Sequence, residues 1–489
     1  MTTRSAELLR VAHTTPGVTR AAAARLLGIG TGATTELVAR LAQAHLLAEA
    51  PAAPSGARGR PTTVLVPHPE GPLVLAAEIT HESWRIDVVE LGGTTLTSRS
   101  AHHEDPSWPA VAAAINAAIT ELQKAYPSRV RAMGVSVPGT VSRTLHLDAA
   151  NLGWHDVDLT ALRPALIDAL ASSTSRRAAA GPLTPSTPGL SGGVRARTSG
   201  APEAPGSSSA IGARTSGAPQ APGSSSAIGA RSSGAPQAPG SSRTIGTRVS
   251  GAPHATDGGV TSAPHSAGRT PLVFVAGNDA SLAAAAESAR GAAAGAQVAL
   301  HLRIEGGLGG AVVDHGHLMI GAQGASGEFG HMPFGDPAIT CPCGAQGCWG
   351  TAVDGTALAR HLGHPPPRDP VTYARRIIAS ATRPEPVEQE ARVGEVRAER
   401  DAVRVVAAAL GRGIAGLVNA LDADLVTLGG VGPDLLAAAE EEIQTSYRAG
   451  LMAIRRDDPP PIRPAALGSD GPIAGAAEEA WASLIPHLA

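Results

Sequence analysis

Three cysteines and one histidine form a group of metal-ligating side chains within a short stretch of this 489-residue sequence. Cys341, Cys343 and Cys348 are all the cysteines of the chain, and His331 precedes them. Three thiolates and one imidazole are the donor set of a tetrahedral structural zinc site, with sulfurs about 2.3 Å from the ion. Cysteines can also be small buried residues that pack as hydrophobes. Their concentration in one Pro/Gly-rich loop favours zinc, because two glycines within it allow a tight curl.

Composition limits the classes of protein that this chain can belong to. Its length predicts two to four domains, and 43% hydrophobic residues suffice for a sizeable core. A net charge of -3 excludes a globally basic nucleic-acid binder but leaves room for a small basic domain. We find no run of about 18 apolar residues and no signal-peptide pattern. Clustered thiols fit a reducing compartment, so we expect a cytoplasmic protein without membrane contact.

A low-complexity tract over residues 172–268 interrupts the chain. A 17-residue unit, Thr198–Arg214, recurs there and brings arginines into phase; these are Arg197, Arg214, Arg231 and Arg248. Each unit offers one isoleucine and no apolar face for stacking. Pro, Gly, Ser and Ala bury too little surface to offset the entropy of ordering, so the composition predicts a disordered insertion.

On both sides of the tract, strands alternate with helices. Strand patterns begin at Leu73 and cover 130–137, 272–275, 298–313 and 425–428. Helical patterns cover 108–124, 160–171, 280–293 and 392–420. This alternation predicts a two-lobed α/β fold whose first lobe is built on a parallel sheet.

The N-terminal segment has the pattern of a DNA-binding motif. Helical periodicity runs over 5–47, and Thr19–Ile29 followed by a helix over 31–43 is typical of a helix-turn-helix, with Gly28 where the turn requires a positive φ. The second helix would face bases with its first turn. A strand after Arg58 and Arg60 predicts a wing that reaches the minor groove. The predicted DNA contacts are Arg20, Thr31, Thr34, Thr35, Arg40, Arg58 and Arg60. The alternative is an ordinary three-helix packing domain.

Gly327–His331, followed by Cys-x-Cys-Gly-x-x-Gly-Cys, resembles the signature of the ROK family of repressors, open reading frames and sugar kinases. The resemblance implies a winged helix-turn-helix at 1–70 followed by an actin/hexokinase-like domain in two lobes, 71–171 and 269–489. It implies that zinc is structural and is held by His331 and the three cysteines. It also implies a sugar site formed by Asn151, Asn278, Asp279, Glu328 and His331.

The sequence departs from the family's kinases where these bind nucleotide. Glu78–Glu82 stands in place of the first glycine-rich phosphate turn, and Glu305 stands before the second. Carboxylates repel a triphosphate, so we expect no kinase activity, and Asp279 occupies the position of the kinase base without that role. Gly350 replaces a glutamate that contacts the sugar in the family.

These observations predict a transcriptional regulator, and more specifically a repressor, that binds operator DNA and senses a sugar or sugar derivative. We expect a homodimer or a dimer of dimers. Two alternatives stay open: an ATP-dependent sugar kinase, and a DNA-binding regulator that responds to no effector.

Overall fold

The computed structural model describes residues 3–52, 63–149, 152–163, 273–384 and 390–488. Several predicted features lie outside these ranges: the insertion at 172–268, most of the helix at 160–171, Asn151, Arg58 and Arg60. None of the helices in the described ranges is long and apolar enough to cross a membrane.

The N-terminal segment consists of three helices and a two-stranded antiparallel sheet. These are α1 (Thr3–Thr14), α2 (Arg20–Leu27), α3 (Thr31–Gln43), β1 (Leu47–Pro51) and β2 (Thr63–Pro67). Local chemistry fixes the ends of α2: the Thr19 hydroxyl accepts from Ala22 N at its start, and Gly28 closes it with φ +62°. The predicted turn glycine and the predicted helix 31–43 are both confirmed.

The first lobe is built on a five-stranded sheet in the order β10-β6-β3-β4-β5. Its strands are β3 (Leu73–Ile79), β4 (Ser83–Glu90), β5 (Thr95–His102), β6 (Val130–Val137) and β10 (Val273–Asn278), and helix α4 (Trp108–Ala125) packs on it. Only β3, β6 and β10 run parallel, because β4 and β5 turn back in antiparallel hairpins. The expectation of a parallel sheet is therefore corrected to a mixed one. The predicted lobe bounds are corrected as well, because β10 lies in the range 269–489 assigned to the second lobe but pairs with β6 in the sheet of the first.

A small antiparallel sheet, β7-β8-β9, extends from the end of β6. It comprises β7 (Thr140–Val141), β8 (His146–Ala149) and β9 (Trp154–Asp158). The short turn of 3-10 helix at Leu159–Leu162 ends this described segment.

The second lobe has its own five-stranded sheet, β13-β12-β11-β14-β15. The strands are β11 (Val298–Ile304), β12 (Leu308–Asp314), β13 (His317–Leu318), β14 (Leu425–Gly430) and β15 (Ile462–Pro464). The helices are α5 (Asp279–Arg290), α6 (Gly355–His361), α7 (Pro370–Ala381), α8 (Glu390–Leu421), α9 (Gly432–Ala438), α10 (Glu440–Gly450) and α11 (Gly471–Leu488). Apolar faces of α6, α7, α8 and α10 form one large core with this sheet.

Helix α11 joins the N-terminal segment to the first sheet. Leu8 and Leu9 of α1, Val74 of β3 and Trp481 of α11 belong to one buried cluster, and none is more than 1% exposed. The backbone of α11 approaches its neighbours so closely that a Cβ at Gly475 would lie 1.8 Å from the Leu282 carbonyl oxygen of α5. The three N-terminal helices therefore share a core with the body of the molecule.

Candidate metal centre and ligand site

The loop after β13 brings together the four predicted metal ligands. One donor atom from each of His331, Cys341, Cys343 and Cys348 lies within 4.8 Å of the others. The Cys343 and Cys348 sulfurs are 3.6 Å apart, and the Cys341 sulfur is 3.8 Å from His331 Nδ1. A tight turn, in which Gly344 N donates to the Cys341 carbonyl at 2.9 Å, curls the loop. The group forms a site that can hold a metal ion.

The surroundings of Cys343 and Cys348 alter the pKa values of these two thiols. Burial and the neighbouring thiols raise the pKa of Cys348 to about 12, whereas the backbone N–H of Ala345 lowers the pKa of Cys343. Three thiolates this close would repel one another in the absence of a positive charge. A zinc ion would neutralise them, and His331 and the three sulfurs supply the four ligands that its structural sites use.

Trp349 fastens the end of this loop to the core of the second lobe. Its ring is fully buried, and Nε1 donates to the Ala409 carbonyl of α8 at 3.1 Å. A Cβ at Gly413 of the same helix would lie 2.1 Å from the indole ring, so the glycine makes room for it. A Cβ at Gly350 would meet the Gly330 carbonyl and Leu308 N at 3.3 Å, which is a tight fit for any side chain.

His331 connects the metal ligands to the cleft between the lobes. Its Nδ1 faces the Cys341 sulfur, and its Nε2 lies 3.8 Å from Glu328 Oε2. Glu328 Oε1 in turn accepts from the Thr140 hydroxyl of β7 at 3.0 Å. A metal held by Nδ1 would fix the imidazole ring, and the ring would then position Glu328.

Asn278 and Asp279 lie where β10 ends and α5 begins. The Asn278 side-chain oxygen accepts from Ala280 N and Ser281 N and so caps the helix, and its amide donates to the Gly139 carbonyl at 3.0 Å. The capping role is therefore observed, and the side chain also ties α5 to the loop before β7. Loss of hydration raises the pKa of Asp279 from 3.8 to about 6, Glu305 adds to the rise, and Arg303 opposes it.

Asp279 is part of a larger acidic group at the base of the cleft. Glu78 at the end of β3 has its pKa raised from 4.5 to about 7, first by burial and then by Asp279 and Glu305, while Arg303 lowers it. Arg303 is 8% exposed; its guanidinium donates to Glu305 at 2.5 Å and lies 3.9 Å from the Asp279 carboxylate. Arg303 was missed at the sequence level, although an arginine inside an apolar strand is itself a signal of a buried charge.

The predicted DNA contacts divide into accessible and inaccessible side chains. Thr31 and Thr35 on the first turns of α3 are exposed. Thr34 is 1% exposed, and its hydroxyl donates to the Gly30 carbonyl, so the prediction that Thr34 contacts DNA is corrected. Arg20 pairs with Glu49 at 2.9 Å and Arg40 with Glu36 at 3.5 Å, both in exposed positions.

Three features indicate the class of protein. They are the two lobes with a cleft, the loop of one histidine and three cysteines, and the helix that begins at Asn278 and Asp279. Residues 265–482 match the model of the ROK family, so the chain carries a ROK family domain. A solved structure of a ROK family transcriptional regulator, described as a homologue of the E. coli MLC protein, covers 99% of this chain and 96% of that chain with a TM-score of 0.62 and 17% identity. The ROK hexokinase from Thermus thermophilus covers 84% and 99%, with a TM-score of 0.50 and 22% identity.

Relatives by sequence include both kinases and repressors. The glucokinase of Halalkalibacterium halodurans is 29% identical over 216 residues, which are 42% of this chain and 63% of that protein. The xylose repressor of Bacillus subtilis is 35% identical over 85 residues, 17% of this chain and 22% of that protein. The chain thus spans less than two thirds of the length of either relative.

Proposed function

We propose that this protein is a DNA-binding transcriptional regulator whose ROK domain senses a sugar or sugar derivative. One observation carries the proposal: three helices and a hairpin, in the order of a winged helix-turn-helix, share a core with the ROK domain. A DNA-binding head with its own separate core would move independently. A shared core gives ligand binding in the cleft a physical route to the head.

The DNA-facing surface in this proposal is the exposed first half of α3 together with the wing between β1 and β2. Thr31 and Thr35 offer hydroxyls and methyls to the major groove. Arg20 and Arg40 are held only in exposed ion pairs, which are worth less than about 1 kcal/mol, so they can turn to phosphates at little cost. Arg58 and Arg60 are the proposed minor-groove contacts of the wing.

The sugar site in this proposal is the cleft that contains Asp279, Glu328 and His331, with Asn278 beside them. Asn151, which lies outside the described residues, is a further proposed contact. Carboxylates accept from vicinal hydroxyls, and charge-assisted hydrogen bonds of this kind are worth about 1.5–3 kcal/mol each. Asn278 would act indirectly, because its amide is already engaged with the helix start and with Gly139. Zinc is the proposed ion of the four-ligand group, where its role is to hold the Glu328–His331 segment.

The charge at the base of the cleft argues against phosphoryl transfer. Glu78, Asp279 and Glu305 surround one buried arginine, and the raised pKa values of Glu78 and Asp279 reflect both their burial and the repulsion among the three carboxyl groups. A triphosphate would add further negative charge to the same place. The kinase alternative predicts sugar-dependent ATP turnover, and we expect none.

A continuous set of contacts supports coupling between the cleft and the head. Helix α5 starts at Asp279 in the cleft and ends at Arg290, whose guanidinium donates to Glu478 at 2.5 Å. His13 Nδ1 accepts from Gly92 N at 3.0 Å, which leaves the proton on Nε2 to donate to Glu478 at 3.0 Å. A shift of α5 would therefore act on α1 of the head directly.

The test is fluorescence anisotropy of the zinc-loaded protein on the DNA upstream of its own gene, repeated with a panel of sugars and sugar phosphates. We expect nanomolar-to-micromolar binding that one class of sugar shifts. Arg58→Ala/Arg60→Ala should weaken it, and Arg99→Ala, an exposed arginine of β5, is the matched control. Tight DNA binding that no sugar alters would favour the effector-independent regulator. Gly350 supports that alternative, because it stands where the family has a sugar-contacting glutamate. Absence of DNA binding with sugar-dependent ATP hydrolysis would establish the kinase instead.

A further inference from the structure

An open cleft of about 420 Å³ lies beside the proposed sugar site, on the small β7-β8-β9 sheet. This volume falls within the range of about 300–1,000 Å³ that is typical of small-molecule sites. The cleft is lined by side chains of the small sheet and by Gln323 and Ala325 of the loop after β13. Asp279, Glu328 and His331 do not line it, so the space is additional to the site already described.

Thr140 lies between the proposed sugar site and this cleft. Its side chain lines the cleft, and its hydroxyl donates to Glu328 at 3.0 Å. A ligand that was bound to Glu328 and extended past Thr140 would reach the cleft. A ligand of one ring, held at Glu328 and Asp279, would leave the cleft unused.

The walls of the cleft are held by specific close contacts between the lobes. Gly324 of the loop has φ +87°, and a Cβ there would lie 2.3 Å from the Val141 carbonyl oxygen of β7. Arg143 Nη2 donates to the Gly321 carbonyl at 2.8 Å on the same side. The loop therefore rests directly on the small sheet, and a ligand in the cleft would touch both lobes.

The lining chemistry suits a hydroxylated ligand. Ser142 and Thr144 place their hydroxyls 3.0 Å apart, and each can donate or accept. His146 is oriented by Asp156 at 2.8 Å. Asp148 adds a second carboxylate to the lining, so a phosphate would be repelled there. The hydroxyl, imidazole, amide and carboxylate groups of this lining can donate to and accept from the hydroxyls of a glycosyl ring.

We propose that the effector is an oligosaccharide of at least two units, whose first ring is held at Glu328 and whose second, phosphate-free ring occupies the cleft lined by Ser142, Thr144 and Asp148. This inference rests on the proposed sugar-sensing function and names the class of its ligand. It also explains how a ligand could bridge the two lobes, since the second ring contacts the small sheet of one and the loop of the other.

Isothermal titration of the full chain tests the proposal with matched pairs of sugars: glucose with maltose and cellobiose, xylose with xylobiose, and N-acetylglucosamine with chitobiose. We expect one disaccharide to bind at least tenfold more tightly than its monosaccharide. Ala325→Trp fills the cleft at an exposed position and should remove that advantage while leaving monosaccharide affinity within about twofold. Ala114→Trp, on the exposed face of α4, is the control and should change neither affinity.

The outcomes separate this proposal from the function on which it rests. Equal affinities for monosaccharides and disaccharides, or an Ala325→Trp protein that keeps the disaccharide advantage, would overturn the extended site and leave sugar sensing intact. A panel in which no sugar binds would overturn sensing and the extended site together. DNA binding, measured separately, is unaffected by either result.

Discussion

The buried charge pair between Glu478 and Arg290 gives the sharpest prediction, Glu478→Gln. The Glu478 side chain is 10% exposed and accepts from Arg290 Nε at 2.5 Å and from His13 Nε2 at 3.0 Å. Removing one member of a buried pair costs about 3–5 kcal/mol, because the other charge stays buried without compensation. Glutamine keeps the volume and one acceptor, so we expect a loss near the lower end, about 3 kcal/mol at pH 7.5.

The pH dependence of that loss checks its electrostatic origin. Burial by itself would raise the pKa of Glu478, but the hydrogen bond from His13 and the charge and hydrogen bond of Arg290 bring it below 4.5. A lowered carboxyl pKa contributes stability above the unfolded value, and this contribution is lost as the pH falls through the folded value. The difference between wild type and variant should therefore be full at pH 7.5 and shrink below pH 4.5.

Chemical denaturation followed by tryptophan fluorescence measures the free energy of unfolding of both proteins at each pH. Glu479→Gln is the matched control: burial and then Glu478 raise the pKa of Glu479, so neutralising it should be neutral or slightly stabilising. A Glu478→Gln loss below about 1 kcal/mol, or a loss that is the same at pH 7.5 and pH 4, would refute the reasoning. The same variant should also weaken the effect of sugar on operator binding if α5 transmits it.

Four further predictions follow from the metal loop, the cleft, the wing and the insertion. Cys343→Ser should lower bound zinc from about one equivalent to a small fraction by elemental analysis, with Ala338→Ser as the loop control; unchanged metal content would contradict the site. Burial raises the pKa of Glu78 from 4.5 to about 7, and a raised carboxyl pKa costs stability as the pH rises through that interval. Glu78→Gln should therefore stabilise the fold by up to about 3 kcal/mol at pH 8 and by little at pH 4.5. Equal effects at both pH values would show that the ionisation of Glu78 is not the cause. Arg60→Ala should weaken operator binding and lower its salt slope by about one, and an unaltered slope would remove the wing from the interface. Deleting 175–265 should leave the melting temperature within a few degrees, and a large drop would mean that the tract packs against the body.

Some of this molecule follows from local sequence alone. The helix over 31–43, the turn at Gly28 and the strand over 130–137 were predictable because capping, positive φ and apolar runs act over a few residues. The metal ligands were predictable for a related reason: donor type and short spacing restrict the geometry of the loop. The resemblance to the ROK family was likewise visible in the sequence, because its signature, Gly327–His331 and the three cysteines, lies within one short segment.

Other features required the tertiary fold, because they depend on which distant segments meet. Periodicity could not tell that β4 and β5 return antiparallel, or that Thr34 faces the core while Thr35 faces solvent. Nothing local to His13, Arg290 or Glu478 shows that the three meet, since they lie up to 465 positions apart. Residue types and short spacings therefore specify the class of site and the elements that carry it. Packing between distant segments decides how the N-terminal segment, the cleft and the small sheet contact one another, and no local pattern encodes it.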